Sequence, residues 1–476
     1  MLFEQFVVPG LAHFSYAVGC ETAREVAIVD PTRDIDTYLD FARARRVRIS
    51  RVLETHVHAD FASGAKELAE RTGAELNVSA YDKGETFEVA FPHRDLYEDD
   101  GLRPGSLLLR VLHTPGHTPE HIALLVFDHG RSKDVPVSFL TGDFLLAGSL
   151  GRPDLLGDAL APQLARELFR SVQSKLKALP DGLIVYPAHG AGSMCASRTS
   201  AAACTTLGWE RATNRGLDGN RTEAEFMSDI LGSLPPRPEY FARLKRLNCT
   251  GPKSLEHDLG KDPIDAREVH ELHSRQACLV IDVRHELAFA AGHIPGAYAL
   301  AHGPLLSVWA GWVLPPDIPI VLVVSDPGEL DAAVRSLVRV GLDDIRGYLA
   351  GGMDAWCAAG LALSTLPQLR PADAWQLQRE GRLAILDVRA ADEWRAARVP
   401  DSLHVQGWQI TESLDRLRRL ATPLTVLCNT GYVSTVVASL LERSGFEALS
   451  HVTGGLHEWQ ECDAPLDRGP QCESRV

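Results

Sequence analysis

Short apolar runs punctuate the first half of the chain at 25–29, 49–53, 107–112, 136–140 and 183–186, with helical stretches between them. Runs of that length, bounded by polar residues, predict buried strands. The block ends in a helix-rich segment and the sequence Leu234-Pro-Pro-Arg-Pro-Glu, which suits neither helix nor strand. A polar linker over 247–262 follows. Beyond it the pattern repeats. LVIDVR at 279–284 returns as AILDVR at 384–389, and GGMDAW at 351–356 returns as GGLHEW at 454–459. PIVLVVS at 319–325 matches PLTVLC at 423–428 once one residue is gapped. A repeat of about 100 residues is too long for a solenoid unit and marks a duplicated domain. Each copy alternates short β runs with helical patterns, as an open parallel α/β sheet does.

Composition narrows the class of protein. At 476 residues and 45% apolar, the chain has the length of two to four globular domains. A formal charge of −15, from 63 acidic and 48 basic residues, argues against nucleic acid or an anionic membrane as partner. No apolar run reaches the roughly 20 residues of a spanning helix. The first residues lack the basic and apolar regions of a signal peptide. Nine cysteines with no CxxC give neither a disulfide framework nor a zinc ribbon, so a cytoplasmic protein with reduced thiols is expected.

Five features follow the strands of the first block: Thr55-His-Val-His-Ala-Asp-Phe61, His113-Thr-Pro-Gly-His117-Thr, Thr141-Gly-Asp143, Gly151-Arg-Pro-Asp154 and Tyr186-Pro-Ala-His-Gly190. Loops at the ends of adjacent strands bring distant imidazoles and carboxylates to one point, as a metal requires. HxHxD, HTPGHT, TGD and PAHG in this order resemble the metallo-β-lactamase fold. The common HxHxDH pattern supplies a second metal through its final His, and here that position is Phe61, which cannot ligate. The block is similar to the persulfide dioxygenase branch. That resemblance implies a single iron(II) on His56, His117 and Asp143, with His58, Asp60 and His189 orienting the ligands or bound water. It also implies that Arg152 borders the substrate mouth and forks to an anionic group of a thiol carrier. His113 and His121 fall on no ligand position. Cys195 lies in a loop resembling HGAGSxC of three-domain persulfide dioxygenase–sulfurtransferases. There a nearby cation would lower its pKa, and a sulfur-handling role follows. Cys20, Cys204, Cys249, Cys278, Cys357, Cys462 and Cys472 match no such position.

The repeat resembles the rhodanese domain, through Asp282-Val-Arg with Gly292-His-Ile-Pro-Gly-Ala, Asp387-Val-Arg with Val399-Pro-Asp, and the closing Gly-Gly-x-x-x-Trp of both copies. The second copy places Cys428 at the end of a strand, before a loop and a helix N-terminus that favour a thiolate. Asn429, Thr430, Gly431 and Ser434 are the expected substrate-binding positions, with Ser434 and Thr435 donating to a bound anion. The first copy has Ser325 in the matching place, with Asp326 and Glu329 nearby, and is read as non-catalytic. Val433 replaces the loop arginine often seen in the family, so thiosulfate should be a poor donor.

The fold expected is α/β and multidomain: a metallo-β-lactamase αββα sandwich over 1–246, then two rhodanese-like domains with parallel sheets over 263–366 and 367–476. The resemblance implies a persulfide dioxygenase coupled to a sulfurtransferase, with one Fe(II) per chain. Its substrates would be a low-molecular-weight thiol persulfide and O2, its product sulfite or thiosulfate, and its state a dimer or tetramer. Cys428 would transfer sulfur and Cys195 relay it. Two rival readings are a zinc thioester hydrolase of glyoxalase II type and a non-enzymatic persulfide carrier or sensor. Phe61 counts against the first and the intact triad against the second.

Overall fold

A computed structural model of the chain describes residues 1–196, 199–256, 258–420, 422–462 and 464–469. Met1–Leu255 with Arg335–Leu342 form one compact unit, and Glu256–Val334 with the chain from Asp343 onward form the second.

The first unit holds two six-stranded sheets. One runs Leu2–Val8, His13–Cys20, Glu25–Val29, Arg48–Leu53, Glu75–Ser79 and Arg94–Leu96 in chain order, antiparallel at first and parallel from Glu25–Val29 onward. The other is built around Leu107–His113, Ile122–Asp128, Ser138–Gly142 and Ile184–Pro187. Side chains alternate across a strand. Leu107, Leu109 and Val111 therefore meet Tyr16, Val18, Ala27 and Leu53 between the sheets. Leu108 and Leu112 point the other way, onto Leu168 and Val172 of the Ala161–Lys175 helix. A third cluster joins Val26, Ile28 and Val52 to Tyr38, Ala42, Leu68 and Ala69, on the helices Asp36–Arg45 and Ala65–Thr72. Three apolar layers between helix, sheet, sheet and helix make the expected αββα sandwich.

All five strand runs expected in the first block are strands. His13–Cys20 and Ile122–Asp128 were missed. Both are buried throughout; Ile122–Asp128 is an unbroken apolar run up to its last residue, whereas His13–Cys20 does alternate, with Phe14, Tyr16, Val18 and Cys20 between His13, Ser15, Ala17 and Gly19. The linker expected from 247 begins inside a helix, Tyr240–Thr250, whose Asn248 and Cys249 are buried.

The second unit holds two five-stranded parallel sheets. The first orders its strands Pro263–Ile264, Ile345–Leu349, Ile320–Val323, Leu279–Asp282, Tyr298–Ala299. The second repeats that order with Gln368–Leu369, Leu449–Val452, Leu424–Leu427, Ala384–Asp387, Leu403–His404. In each copy an arginine two residues past the strand forks onto the strand's last carboxylate: Arg284 on Asp282 and Arg389 on Asp387, both at 2.6 Å. The tryptophans that close the copies, Trp356 and Trp459, are 1% and 0% exposed. The eight described cysteines are all free, and Cys472 lies outside the described residues. No helix among the described residues is long and apolar enough to cross a membrane.

Phe139 is fully buried in the layer beneath the Ala161–Lys175 helix. Phe139→Ala should cost about 3–5 kcal/mol of unfolding free energy, measured by urea denaturation of the first unit's transition.

Candidate metal centre

Four loops leave the two sheets at one edge of the sandwich, after Leu53, His113, Gly142 and Pro187. They carry His56, His117, Asp143 and His189. His56 Nε2, His117 Nε2 and Asp143 Oδ2 all lie within 4.8 Å of one another. Asp143 Oδ2 is 3.3 Å from the His117 nitrogen and 3.9 Å from that of His56. All three residues are buried, and none of these atoms has a hydrogen-bond partner.

The other polar atom of each ligand is tied down. His117 Nδ1 donates to the Arg152 carbonyl at 2.8 Å. His56 Nδ1 donates to Thr55 Oγ1 at 2.9 Å, while the Thr55 hydroxyl donates to Asp30. Asp143 Oδ1 accepts from His189 Nδ1 at 2.7 Å. The tautomers this fixes leave one Nε2 lone pair per imidazole facing the carboxylate, the arrangement metal-bound histidines show. Burial, with the neighbouring histidines, pushes His56 well below its ordinary pKa. Burial also takes His117 down to about 4, although Asp143 pulls the other way. Asp143 resists burial and is held well below the carboxylate range by His189 and His117. Two neutral imidazoles and one carboxylate, buried and unpaired, fit a divalent metal.

His189 lies between two carboxylates, 2.7 Å from Asp143 through Nδ1 and 2.7 Å from Asp60 through Nε2. Burial disfavours its charge, yet the two carboxylates raise its pKa well above normal. His58 turns the other way, 3.1 Å from both Asp30 and Glu54. Burial opposes its charge too, and those carboxylates lift it to about 10. Phe61 is completely buried, with ring centroids 4.2 Å from His13 and 4.3 Å from His58. Its ring offers no ligand atom at the position that the HxHxDH pattern gives to a histidine.

Several residues that hold this centre were missed in the sequence. Val57, between the two loop histidines, donates its N–H to Glu120 at 3.0 Å and accepts at its carbonyl from Lys245 at 2.7 Å. Asn248 donates to the carbonyls of His58 and Phe61 and accepts from Ser63 N–H, each at 2.8 Å. Lys245 and Asn248 are three residues apart, so one face of the Tyr240–Thr250 helix clamps the whole HxHxD loop. Nothing in the local sequence of this helix, which also carries Arg243 and Arg246, marks the two as buried.

Two expectations are corrected. Arg152 does not face a substrate. It is fully buried, and its five N–H donors go to Asp154, to the Met194 carbonyl and to those of Pro235 and Pro236. Its contribution is the backbone carbonyl that fixes His117. Cys195 is 1% exposed, and burial with Asp60 and Asp143 nearby pushes its thiol well above normal, opposite to the lowering expected. Its sulfur does lie with Asp60 and His189 in a second buried group of possible ligands, and Asp30, Glu54 and His58 form a third. His121 accepts from Asp143 N–H at 3.0 Å and so positions that residue. His113 stacks on Tyr81 at 3.6 Å.

In the second unit, Cys428 follows the Leu424–Leu427 strand and precedes the Tyr432–Arg443 helix. Gly431 N–H donates to its sulfur at 3.1 Å. The Ser434 and Thr435 hydroxyls donate to the Gly431 carbonyl instead of to an anion, so Ser434 offers Cys428 only its oxygen, at 3.5 Å. Asn429 is engaged with Glu393 at 2.7 Å, and Thr430 is exposed. The closing Gly-Gly has a steric origin: a Cβ on Gly455 would lie 2.3 Å from the Cys428 carbonyl, which Leu456 N–H caps at 2.7 Å. Ser325 of the first copy is exposed, and Asp326 turns in to cap Gly328.

Comparison with known proteins agrees with this architecture. The metallo-beta-lactamase superfamily pattern matches residues 8–189, and the rhodanese-like domain pattern matches 265–359 and 370–462. A solved structure of a metallo-beta-lactamase from Staphylococcus aureus subsp. aureus COL is 33% identical, with TM-score 0.65. It covers 74% of this chain and 99% of its own, more than the first block alone could supply. The mitochondrial persulfide dioxygenase ETHE1 of Homo sapiens is 29% identical over 258 residues, 52% of this chain and 89% of the human protein. A hydroxyacylglutathione hydrolase of a Polaromonas species is 31% identical over 178 residues, 37% of this chain and 62% of its own. The chain belongs to the metallo-β-lactamase superfamily. Within it, this is a three-domain fusion of a domain homologous to persulfide dioxygenases with two rhodanese-like domains, and it is an enzyme.

Asn248→Ala frees three backbone groups of the ligand loop. Metal affinity should fall about 10–100-fold in a competitive chelator titration, as losses of such supporting partners do.

Proposed function

We propose that the chain is a non-haem iron persulfide dioxygenase coupled to a sulfurtransferase. In this reading it acts in sulfide detoxification, oxidising low-molecular-weight thiol persulfides with O2 to sulfite or thiosulfate. The observation that carries the reading is the set of three buried, unpartnered atoms on His56, His117 and Asp143, beside a second-metal position occupied by Phe61. Two histidines and one carboxylate are the facial set of non-haem iron oxygenases, and a single iron(II) held by them would supply the redox chemistry between persulfide sulfur and O2. The protein's part is to keep both imidazoles neutral and aimed. His189 holds the far oxygen of Asp143 and ties it to Asp60. Kinship with the human persulfide dioxygenase supports the same assignment.

The sulfurtransferase half rests on Cys428. Its thiolate attacks the outer sulfur of R–S–S–H; the S–S bond breaks, RS⁻ leaves as the thiol, and Cys428 keeps the sulfane sulfur. The Gly431 N–H and the start of the Tyr432–Arg443 helix stabilise the anion before and after transfer. Cys195 remains a candidate relay through its place beside Asp60 and His189.

Zinc thioester hydrolysis is the competing reading, favoured by the Asp60, His189 and Cys195 group and by the likeness to the hydroxyacylglutathione hydrolase. Protein purified without oxygen should hold one iron per chain and take up O2 in response to persulfide. His117→Ala or Asp143→Ala should lose both properties and keep Cys428 transfer. Two metals per chain with efficient thioester hydrolysis would move the assignment to the hydrolase.

Cys428→Ser should eliminate rhodanese turnover without removing iron, and Ser325→Ala should leave turnover near wild type. After persulfide treatment, mass spectrometry should find a gain of about 32 Da, one sulfur atom, on Cys428. An adduct confined to other cysteines, with turnover intact in Cys428→Ser, would contradict the loop assignment.

A further inference from the structure

A cavity of ≈ 280 Å³ opens in the first unit between the Ser149–Leu150 strand, the Asn214–Gly216 turn and the Glu223–Gly232 helix. Its charged lining is Arg215, Arg221 and Asp229. Both guanidiniums converge on one oxygen, Asp229 Oδ2, at 3.4 and 2.9 Å. One carboxylate between two arginines leaves a positive excess, in a chain whose net charge is −15. Arg221 is the anchored member, 16% exposed and bonded to the Arg215 and Glu225 carbonyls. Arg215 is 75% exposed, and its long contact to Asp229 leaves most of its donors for a ligand. Leu150 and Phe226, 5% and 3% exposed, supply an apolar wall beside them. The Glu210 carboxylate nearby keeps its charge but bonds to Gly148 N–H, Thr205 and Asn214 and pairs with neither guanidinium, and the Glu225 carboxylate is held by Thr222, so the positive excess is confined to the lining itself.

The wall of this cavity continues into the metal centre. Leu150 is followed by Gly151 and Arg152, whose carbonyl orients His117 at 2.8 Å. The packing there has no slack, since a Cβ on Gly151 would come 2.1 Å from the Asp143 carbonyl and 2.8 Å from His117 Nδ1. Asn214, also in the lining, holds the Ser149 carbonyl at 3.0 Å, next to Leu150. A group seated against Leu150 therefore presses on backbone that bears directly on a metal ligand.

We propose that this cavity binds a small organic carboxylate with an apolar body, and that its occupancy is felt at His117. The paired guanidiniums take the carboxylate, and Leu150 and Phe226 take the aliphatic part. The lining reaches His117 through Gly151 and Arg152 at Nδ1, not at the unpartnered Nε2, and the cavity acts as an effector site whatever reaction the metal performs.

The test uses the full-length, metal-loaded chain and hexanoate as probe, with binding followed by calorimetry. Hexanoate should bind about tenfold more tightly than acetate, which lacks the apolar body, and than hexanamide, which lacks the charge. Arg215→Gln should weaken hexanoate about tenfold; because Arg215 is exposed, that variant keeps the fold even where Arg221→Gln does not. Saturating hexanoate should change the rate of metal release to a chelator at least about threefold in the wild type and leave it unchanged in Arg215→Gln. Hexanamide binding as well as hexanoate, or full affinity in Arg215→Gln, would overturn the site. An unaltered metal-release rate on saturation would overturn the coupling, and tighter competition by inorganic phosphate would overturn the carboxylate assignment. None of these readouts depends on turnover, so they stand apart from the test of the proposed function.

Discussion

Three buried acceptor atoms without a hydrogen bond set the terms for the first unit. Leaving one polar atom dry and unpaired costs on the order of 1–3 kcal/mol, and His56 Nε2, His117 Nε2 and Asp143 Oδ2 concentrate three such costs at one point. Side chains left to themselves would rotate to pair with one another or with backbone. They stay unpaired because their second polar atoms are committed elsewhere: to Thr55, to the Arg152 carbonyl and to His189. Those partners are committed in turn, Thr55 to Asp30 and His189 to Asp60. The sandwich edge is thus a polar network in which these three open atoms face one another, the arrangement a divalent cation would complete, while His58 and Asp60 beside it also keep unpaired atoms.

How much of this the sequence discloses follows from the range over which each residue acts. His56, His117 and Asp143 are legible because ligand residues sit at short fixed spacings in loops that follow strands. Asn248 and Lys245 are not, since they meet the loop across 187 and 188 residues of chain, at Phe61 and Val57. Nothing local distinguishes them from a linker edge, which is how Asn248 reads. Arg152 misleads for the converse reason. Arginine next to a metal loop suggests an exposed anion clamp, whereas the Leu234 to Glu239 proline run, which can offer carbonyls but few N–H donors, folds over it and takes up its guanidinium. In the strand Ile122–Asp128 burial on both faces erases the period-two signal, while His13–Cys20 keeps it in Phe14, Tyr16, Val18 and Cys20.

The duplicated domain separates what a fold requires from what its chemistry requires. Strand order, the arginine fork at the end of the second strand and the buried closing tryptophan are held in common. So is the left-handed Gly-Gly turn, with φ of 70° and 57° in one copy and 64° and 59° in the other. These are conditions on backbone and core, and they survive in both copies. The loop after the central strand has no such constraint. In one copy it cradles a buried sulfur under a backbone N–H; in the other it is an exposed, acidic turn closed by Asp326. The repeat carries the architecture, and the difference between the copies is concentrated in one loop.

The clamp on the HxHxD loop also explains why the first unit must extend well past its last central strand. Ile184–Pro187 already delivers His189, so the four metal-bearing loops exist by that point in the chain. The loop that carries His56 nevertheless has four backbone groups, at Val57, His58 and Phe61 and at Ser63 N–H, whose partners lie on the helix Tyr240–Thr250. Without that helix these groups would be buried and unsatisfied, or the loop would open to water and release His56 from its fixed orientation. Metal affinity is then linked to docking of the helix: whatever binds the docked form alone stabilises it by mass action, and whatever loosens the helix weakens the site. The helix-rich end of the block, which in sequence looks like an appendage to a finished sandwich, is part of the metal centre's support.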